Sequence, residues 1–249
     1  MTAYLKQSKL YKFHVENLRS IEIALSNAAI SARKSISQKN NPATQSFIRL
    51  YAFLLGAWAE TRLHKLINES GAFSDEEKTK IFSQGTHLDQ WIKIVEVSFR
   101  KYYKITKSDL NEKTLPHSAF HKLNTIRDIL DGDLRLIIEV RNKLAHGQWV
   151  YPLNSSCTDV ESNKYALINK ENIMSLQFKR ALLSTVADII HDLVVSIPTF
   201  HRDFDSHYKN IVNIRNNLSC RTYTDYQHAL IEKRKRGIKK RRDNNKKEE

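Results

Sequence analysis

Apolar residues return every three or four positions along most of this chain, and that spacing constrains the fold more than any other feature. Val15, Leu18, Ile21, Ile23, Leu25, Ala28, Ala29 and Ile30 recur in this way within residues 8–37. They predict one long helix. The polar stretch 38–43 (QKNNPA) ends it. A second helix follows over about 44–69, with Phe47, Tyr51, Leu54 and Trp58 on one face, Leu55, Leu63 and Leu66 widening it, and Gly71 as a stop. Ser74-Asp-Glu-Glu77 has the form of a capping box and opens a short helix. Residues 87–103 carry Leu88, Trp91, Ile92, Val95, Phe99 and Tyr102 at helical spacing.

A loop is expected over 104–116. Two further helices, 117–130 and 133–146, are expected on either side of a break at Asp131-Gly132. Residues 147–171 are the least helical part, and Tyr165–Ile168 are candidates for a small hairpin. Ile173, Leu176, Leu183, Val186, Ile190 and Leu193 restore the helical pattern over 172–197, where Pro198 stops or kinks it. Another helix spans about 199–218. Only 6 Gly and 4 Pro occur in 249 residues, few breakers for a many-turned β fold. The expected class is all-α: a helical bundle with a long inserted loop and a basic C-terminal tail. The chain divides into a helical domain over 1–197, with its core at about 44–197, an additional helical segment over 198–228, and a tail over 229–249.

The formal net charge is +14, unevenly placed. Residues 233–249 hold ten Lys/Arg against three acids, a net of +7. Lys233, Arg234, Lys235, Arg236, Lys239, Lys240, Arg241 and Arg242 form the dense part of this run. Such a segment attracts a phosphate backbone without reading its sequence. Gly237 and the Asn244-Asn245 pair argue against a docked helix there. Cys157 and Cys220 make neither a disulfide framework nor a zinc pattern. No apolar run reaches the ~18–20 residues of a membrane span. The N-terminal stretch MTAYLKQSKLYKFH lacks a signal-peptide core. These features together predict a cytoplasmic protein without a membrane partner.

The chemically informative stretch is Leu134-Arg-Leu-Ile-Ile-Glu-Val-Arg-Asn-Lys-Leu-Ala-His-Gly-Gln-Trp149. Ile137, Val140 and Leu144 mark its buried stripe. Arg141 lies on or beside that stripe, where a guanidinium needs a polar or anionic partner. Gly147 ends the helix, so His146 falls at its last position or just beyond. On a continuous helix five residues turn about 140°, and the two side chains diverge. At a frayed end His146 folds back, and both groups meet one phosphate. Cleavage of RNA by its own 2′-hydroxyl needs that combination. Histidine takes or gives the proton near neutrality. Arginine meets the charge that develops on the phosphoryl oxygens. Asn142 orients the phosphate, and Lys143 adds a cation for RNA. No metal or other cofactor is required.

Arg141-Asn142-Lys143-Leu144-Ala145-His146, at the end of a core helix, resembles the signature of HEPN ribonucleases: Arg, four to six residues, then His, often with a polar residue after the Arg. Leu55-Gly-Ala-Trp-Ala-Glu-Thr-Arg-Leu-His-Lys-Leu66 is similar to the partner core helix of that family. The resemblance is clearest over about 44–197. It implies a HEPN-type bundle, a homodimer with the two motifs facing across one cleft, and metal-independent cutting of single-stranded RNA or tRNA to a 2′,3′-cyclic phosphate. It also implies a toxin or antiphage-defence role, with an antitoxin or defence-system partner protein. In small members silenced by a nucleotidyltransferase a Tyr stands two residues after the His. Here Gln148 holds that place and Tyr151 follows five after it.

The bland alternatives are specific. Arg141 serves equally as a structural ion-pair partner of Glu60 or Glu139, and His146 as a helix-end histidine favoured by the dipole. A chain with those roles is a catalytically inactive RNA-binding or assembly subunit of a defence complex. A DNA-binding accessory protein is a third reading, favoured only by the tail. Arg215-Asn-Asn-Leu-Ser-Cys220 echoes the motif with Cys in place of His and reads as an ordinary helix end. His117 and His121, and likewise His201 and His207, lack further ligands nearby for a metal.

Overall fold

The computed structural model describes residues 8–248. Met1–Gln7, part of the stretch read above for a signal peptide, and Glu249 lie outside the described residues, as does the side chain of His201. The described chain is all-helical, and its one antiparallel contact is an isolated bridge between Leu153 and Val160.

Six of the described helices begin where a side-chain oxygen accepts from the first-turn backbone, which satisfies donors that no helix can satisfy internally; Thr222 does so for Asp225 at the start of the last helix. Ser8 caps α1 (Lys9–Ser37), Asn40 caps α2 (Asn41–Ile67), and Thr86 caps α4 (His87–Tyr103). Ser74 and Glu77 cap α3 (Asp75–Phe82) reciprocally, as their spacing predicts. Between α4 and α5 (His117–Ile129) the chain is irregular.

The expected break at Asp131-Gly132 does not occur. Leu130–Leu134 form a π-helical turn that carries α5 into α6 (Arg135–Ala145) without interruption. Leu130 and Leu134 are both fully buried, and Asp131 bonds Arg135 at 2.7 Å. A break would expose the two leucines, whereas one wide turn absorbs the glycine and keeps both in the core. Nor does Tyr165–Ile168 form a hairpin. It belongs to α7 (Ser162–Lys170), which buries Ile168.

Asn172 caps α8 (Ile173–Val194), the most buried helix at this end of the chain. Helix α8 ends just before Pro198, as expected, and Pro198 lies in the first turn of α9 (Ile197–Cys220), where its missing N–H costs nothing. The C-terminal run also departs from expectation. Tyr223–Glu248 form α10, so the boundary read at 228/229 falls inside a continuous helix. Lys and Arg are good helix formers, and one glycine costs only ~1 kcal/mol. Tyr223, Tyr226 and Leu230 pack against the core and anchor the first turns of α10 beside α1.

The core is continuous, and α2 runs through it, packed on α1, α6 and α8. Its contact with α6 is unusually close. A Cβ placed on Gly56 would lie 2.5 Å from both Cβ and Cγ of Arg141. Glycine is therefore needed here for proximity of the two helices. Gly56→Ala gains up to ~1 kcal/mol of helix propensity, but overpacking costs ~1–3 kcal/mol and wins. Thermal unfolding followed by circular dichroism should show Tm lowered by roughly 2–8 °C. An unchanged or raised Tm would mean the helices yield at that point.

The C-terminal ends of α2 and α8 are tied by ionisable groups. His191 Nδ1 lies 3.1 Å from Glu69 Oε2, and Lys65 and the Tyr11 hydroxyl also reach Glu69. The Glu69 hydrogen bond, against an opposing effect of burial, raises the His191 pKa above 6.5. Burial pushes Glu69 up, but His191, Lys65 and Tyr11 together hold it below 4.5. A raised histidine contributes stability that is complete below its unfolded value and lost as pH rises through its folded one. A depressed carboxylate contributes above its unfolded value and fades as pH falls through its folded one. The pair thus stabilises most between about 4.5 and 6.5. His191→Gln should flatten the dependence of Tm on pH on the alkaline side of that window. A profile parallel to that of the unmodified chain would show that this pair does not set it.

Candidate functional site at the end of helix α6

Arg141 leaves α6 across Gly56, with its methylenes lying on the α2 backbone. Its Nη2 donates to Glu60 Oε2 at 3.0 Å, and Nη1 to Asn142 Oδ1 at 3.2 Å. Glu60 Oε1 in turn lies 3.2 Å from His87 Nε2. The three groups line a small cleft with Gly56, Ala59, Trp91, Ile138 and Asn142. Arg141 Nε and His87 Nδ1 are buried without a hydrogen-bond partner among the described residues. The guanidinium is thus gripped at one edge and unsatisfied at the other. Glu139, the second carboxylate weighed for Arg141, bonds Lys164 on α7 instead.

Behind Glu60 the His64 ring sits among those of His14, Phe82 and His87. Burial lowers the pKa of His64, and the neighbouring His14 lowers it further. Burial lowers His14 too. Among the described residues no group of three or more His, Cys, Asp or Glu is arranged to hold a metal ion.

Helix α6 stops as its sequence predicts. His146 is the C-cap, and Gly147 takes the left-handed conformation (φ 75°). Gly147 N donates to Leu144 O and Gln148 N to Lys143 O, each at 3.1 Å. This is a Schellman closure, which needs a residue without Cβ strain at its left-handed position. It leaves His146 exposed, with no side-chain hydrogen bond among the described residues. No hydrogen bond joins Arg141 to His146. Arg141 and Asn142 are brought together, and His146 stands at the same helix end, outside the cleft.

Lys143 is not free for a ligand: it pairs with Glu161 at 2.8 Å and donates to Leu153 O at 2.5 Å. The expected RNA-contacting cations of the C-terminus lie on α10. Lys233, Arg234 and Arg241 line a groove with Arg33 and Lys34 of α1 and with Ile30, Leu230 and Ile238. Lys235 pairs with Glu232 at 2.7 Å, while Arg236, Lys239, Lys240 and Arg242 are exposed. The cleft members that the motif does not announce are Glu60 and His87. Glu60 is legible only as an ion-pair candidate. His87 follows a Thr cap at a helix start and carries no local signal.

Of the remaining histidines that the sequence singles out, His117 is exposed, while His121 and His207 have side-chain partners. His121 Nε2 meets the Tyr208 hydroxyl at 3.2 Å, and His207 pairs with Asp192 at 3.0 Å. Arg215–Cys220 is the last part of α9. No helix among the described residues is long and apolar enough to cross a membrane. Comparisons with protein-family models, with curated proteins and with solved structures find no match to this chain.

Proposed function

We propose that this chain is a metal-independent endoribonuclease of the HEPN type, cutting single-stranded RNA or tRNA by attack of a 2′-hydroxyl on the adjacent phosphate. The observation that carries this reading is the end of α6. An exposed imidazole, without a side-chain hydrogen bond among the described residues, follows by one turn an arginine and an asparagine already held side by side. His146 transfers the proton to or from the reacting oxygens. Arg141 offers its forked donors to the phosphoryl oxygens, and Asn142 orients them. A homodimer that sets two such helix ends together supplies both an acid and a base. In the cell such an activity suits a toxin or antiphage-defence effector restrained by a partner protein.

One observation favours a second reading. The Arg141 guanidinium is bonded to Glu60 rather than directed toward His146. An arginine held permanently in that way is structural, and the protein is then a catalytically inactive RNA-binding or assembly subunit.

Purified protein incubated with RNA in excess EDTA should cut it and leave 2′,3′-cyclic phosphate ends. His146→Ala should lower the rate by ~10²–10⁴ without changing the circular dichroism spectrum, as loss of a general acid or base does. Arg141→Ala should act in the same direction. Cleavage that persists at the original rate in purified His146→Ala removes the motif from the mechanism. Intact RNA with the unmodified protein, together with retained RNA binding, selects the second reading.

The cations of α10 should govern affinity and not chemistry. Replacing Lys239, Lys240 and Arg242 together by Gln keeps the helix formers but removes three exposed charges. For single-stranded RNA each phosphate contact contributes ~0.7 to the slope of log affinity against log salt, so the slope should shrink by about 2. Single-turnover cleavage at saturating RNA should not change. A salt slope equal to that of the unmodified chain would show that these charges do not meet RNA.

A further inference from the structure

Residues 149–165 leave the motif helix and return to it, and they carry a feature that cleavage chemistry does not use. Tyr151 and Tyr165 are 59% and 40% exposed, yet their rings lie parallel, 5.9 Å apart and inclined by only 6°. Exposed tyrosines held face to face differ from the aromatic residues of the core, such as Tyr51 and Trp58, which are almost wholly buried. The pair is not loose. Trp149 Nε1 donates to Leu144 O at 3.0 Å, and Leu153 N to Gln148 Oε1 at 2.8 Å, which fixes the loop on either side of Tyr151. Lys143–Glu161 and Lys164–Glu139 fasten α7, and with it Tyr165, to α6.

A cation is tied to Tyr165 through Asn169. Asn169 Nδ2 donates to Tyr165 O at 2.9 Å, and Asn169 Oδ1 accepts from Arg49 Nη2 at 3.2 Å. Arg49 Nε is buried, without a hydrogen-bond partner among the described residues. Arg49 therefore sits one side chain away from Tyr165, half-exposed, with its Nη2 bonded to Asn169 at the surface. The pair is also close to the motif in the chain. Tyr151 is five residues from His146, so their backbones are separated by at most ~18 Å.

We propose that Tyr151 and Tyr165 form a stacking platform for an unpaired RNA base, with Arg49 meeting the neighbouring phosphate. Every base has a π-face, so a flat aromatic surface binds single strands with little sequence preference. Bases in a duplex are already stacked and cannot offer that face. The platform thus selects single-stranded substrate and holds it close to the end of α6. This rests on the RNA reading above but not on catalysis.

The test uses the full-length protein and a short single strand, fully 2′-O-methylated and carrying one 2-aminopurine. Such a strand cannot be cut by its own 2′-hydroxyl, so binding is read apart from cleavage. Stacking on a tyrosine quenches the 2-aminopurine fluorescence. The unmodified chain should quench it on titration, and the same strand in a duplex should give no such change. Tyr151→Ala and Tyr165→Ala should each lose most of the quench and weaken binding roughly 5- to 100-fold, the range for loss of one base–aromatic stack. Tyr151→Phe and Tyr165→Phe keep the ring face and should bind like the unmodified chain. Both tyrosines are exposed, and unchanged circular dichroism checks that the alanine variants fold.

The proposal is overturned if the unmodified chain does not bind the strand, or binds it without quenching. It is also overturned if the folded alanine variants bind and quench like the unmodified chain. If they lose binding only because the oligomeric state changes in light scattering, the pair is a subunit contact and not a base platform. Quenching that depends on both rings, in a protein that cuts no RNA, supports the platform and removes only the nuclease reading.

Discussion

The crossing of Arg141 over Gly56 sets the position of α6, and with it everything that follows α6 in the chain. A long cationic side chain at a helix crossing is tolerated when its methylenes cover apolar surface and its head finds a counter-charge. Both conditions hold: the missing Cβ on α2 makes room for the stem, and Glu60, one turn further along α2, receives the head. Each of the two contacts depends on the other. A larger residue at position 56 would lift the stem, and loss of Glu60 would leave a half-covered guanidinium with Nε already unbonded. The azimuth of α6 is fixed in this way. So is the direction in which its last turn delivers His146 and the loop carrying Tyr151.

Much of this was legible in the sequence wherever one local rule sufficed. Ser74 and Glu77 cap α3, and His87–Tyr103 form a helix with the bounds that the apolar spacing gives. Gly147 closes α6 because a Schellman turn needs its left-handed residue. The misreadings share one cause: local punctuation was overruled by burial. Asp131-Gly132 is a break signal, but Leu130 and Leu134 on either side are both buried, and a π-helical turn satisfies the glycine and the core together. The basic run after 232 reads as a tail until Tyr223, Tyr226 and Leu230 are seen to anchor the helix that carries it. The cleft was half legible. Arg141 calls for a carboxylate, and the sequence offers Glu60 or Glu139. Only the three-dimensional arrangement assigns Glu60 to Arg141, brings in His87 and gives Glu139 to Lys164.

The same arrangement defines the electrostatic problem that a bound phosphate would meet. The last carbonyls of a helix carry partial negative charge, so the end of α6 by itself repels an anion. Three cations or potential cations lie there, but two are engaged. Lys143 is held by Glu161 and Leu153 O, and Arg141 by Glu60. A phosphate must displace Glu60 from at least one edge of the guanidinium, or approach the opposite edge. Glu60 is not lost in such an exchange, because His87 stands ready on its other oxygen. The carboxylate can shift its interaction toward the imidazole as the arginine turns to the ligand. A second copy of α6 facing the first would add another arginine and another exposed histidine to offset the two helix-end dipoles. In the proposed homodimer, a phosphate between two such ends would meet two exposed imidazoles in place of one, and each Arg141 would reach it only as its hold on Glu60 loosens.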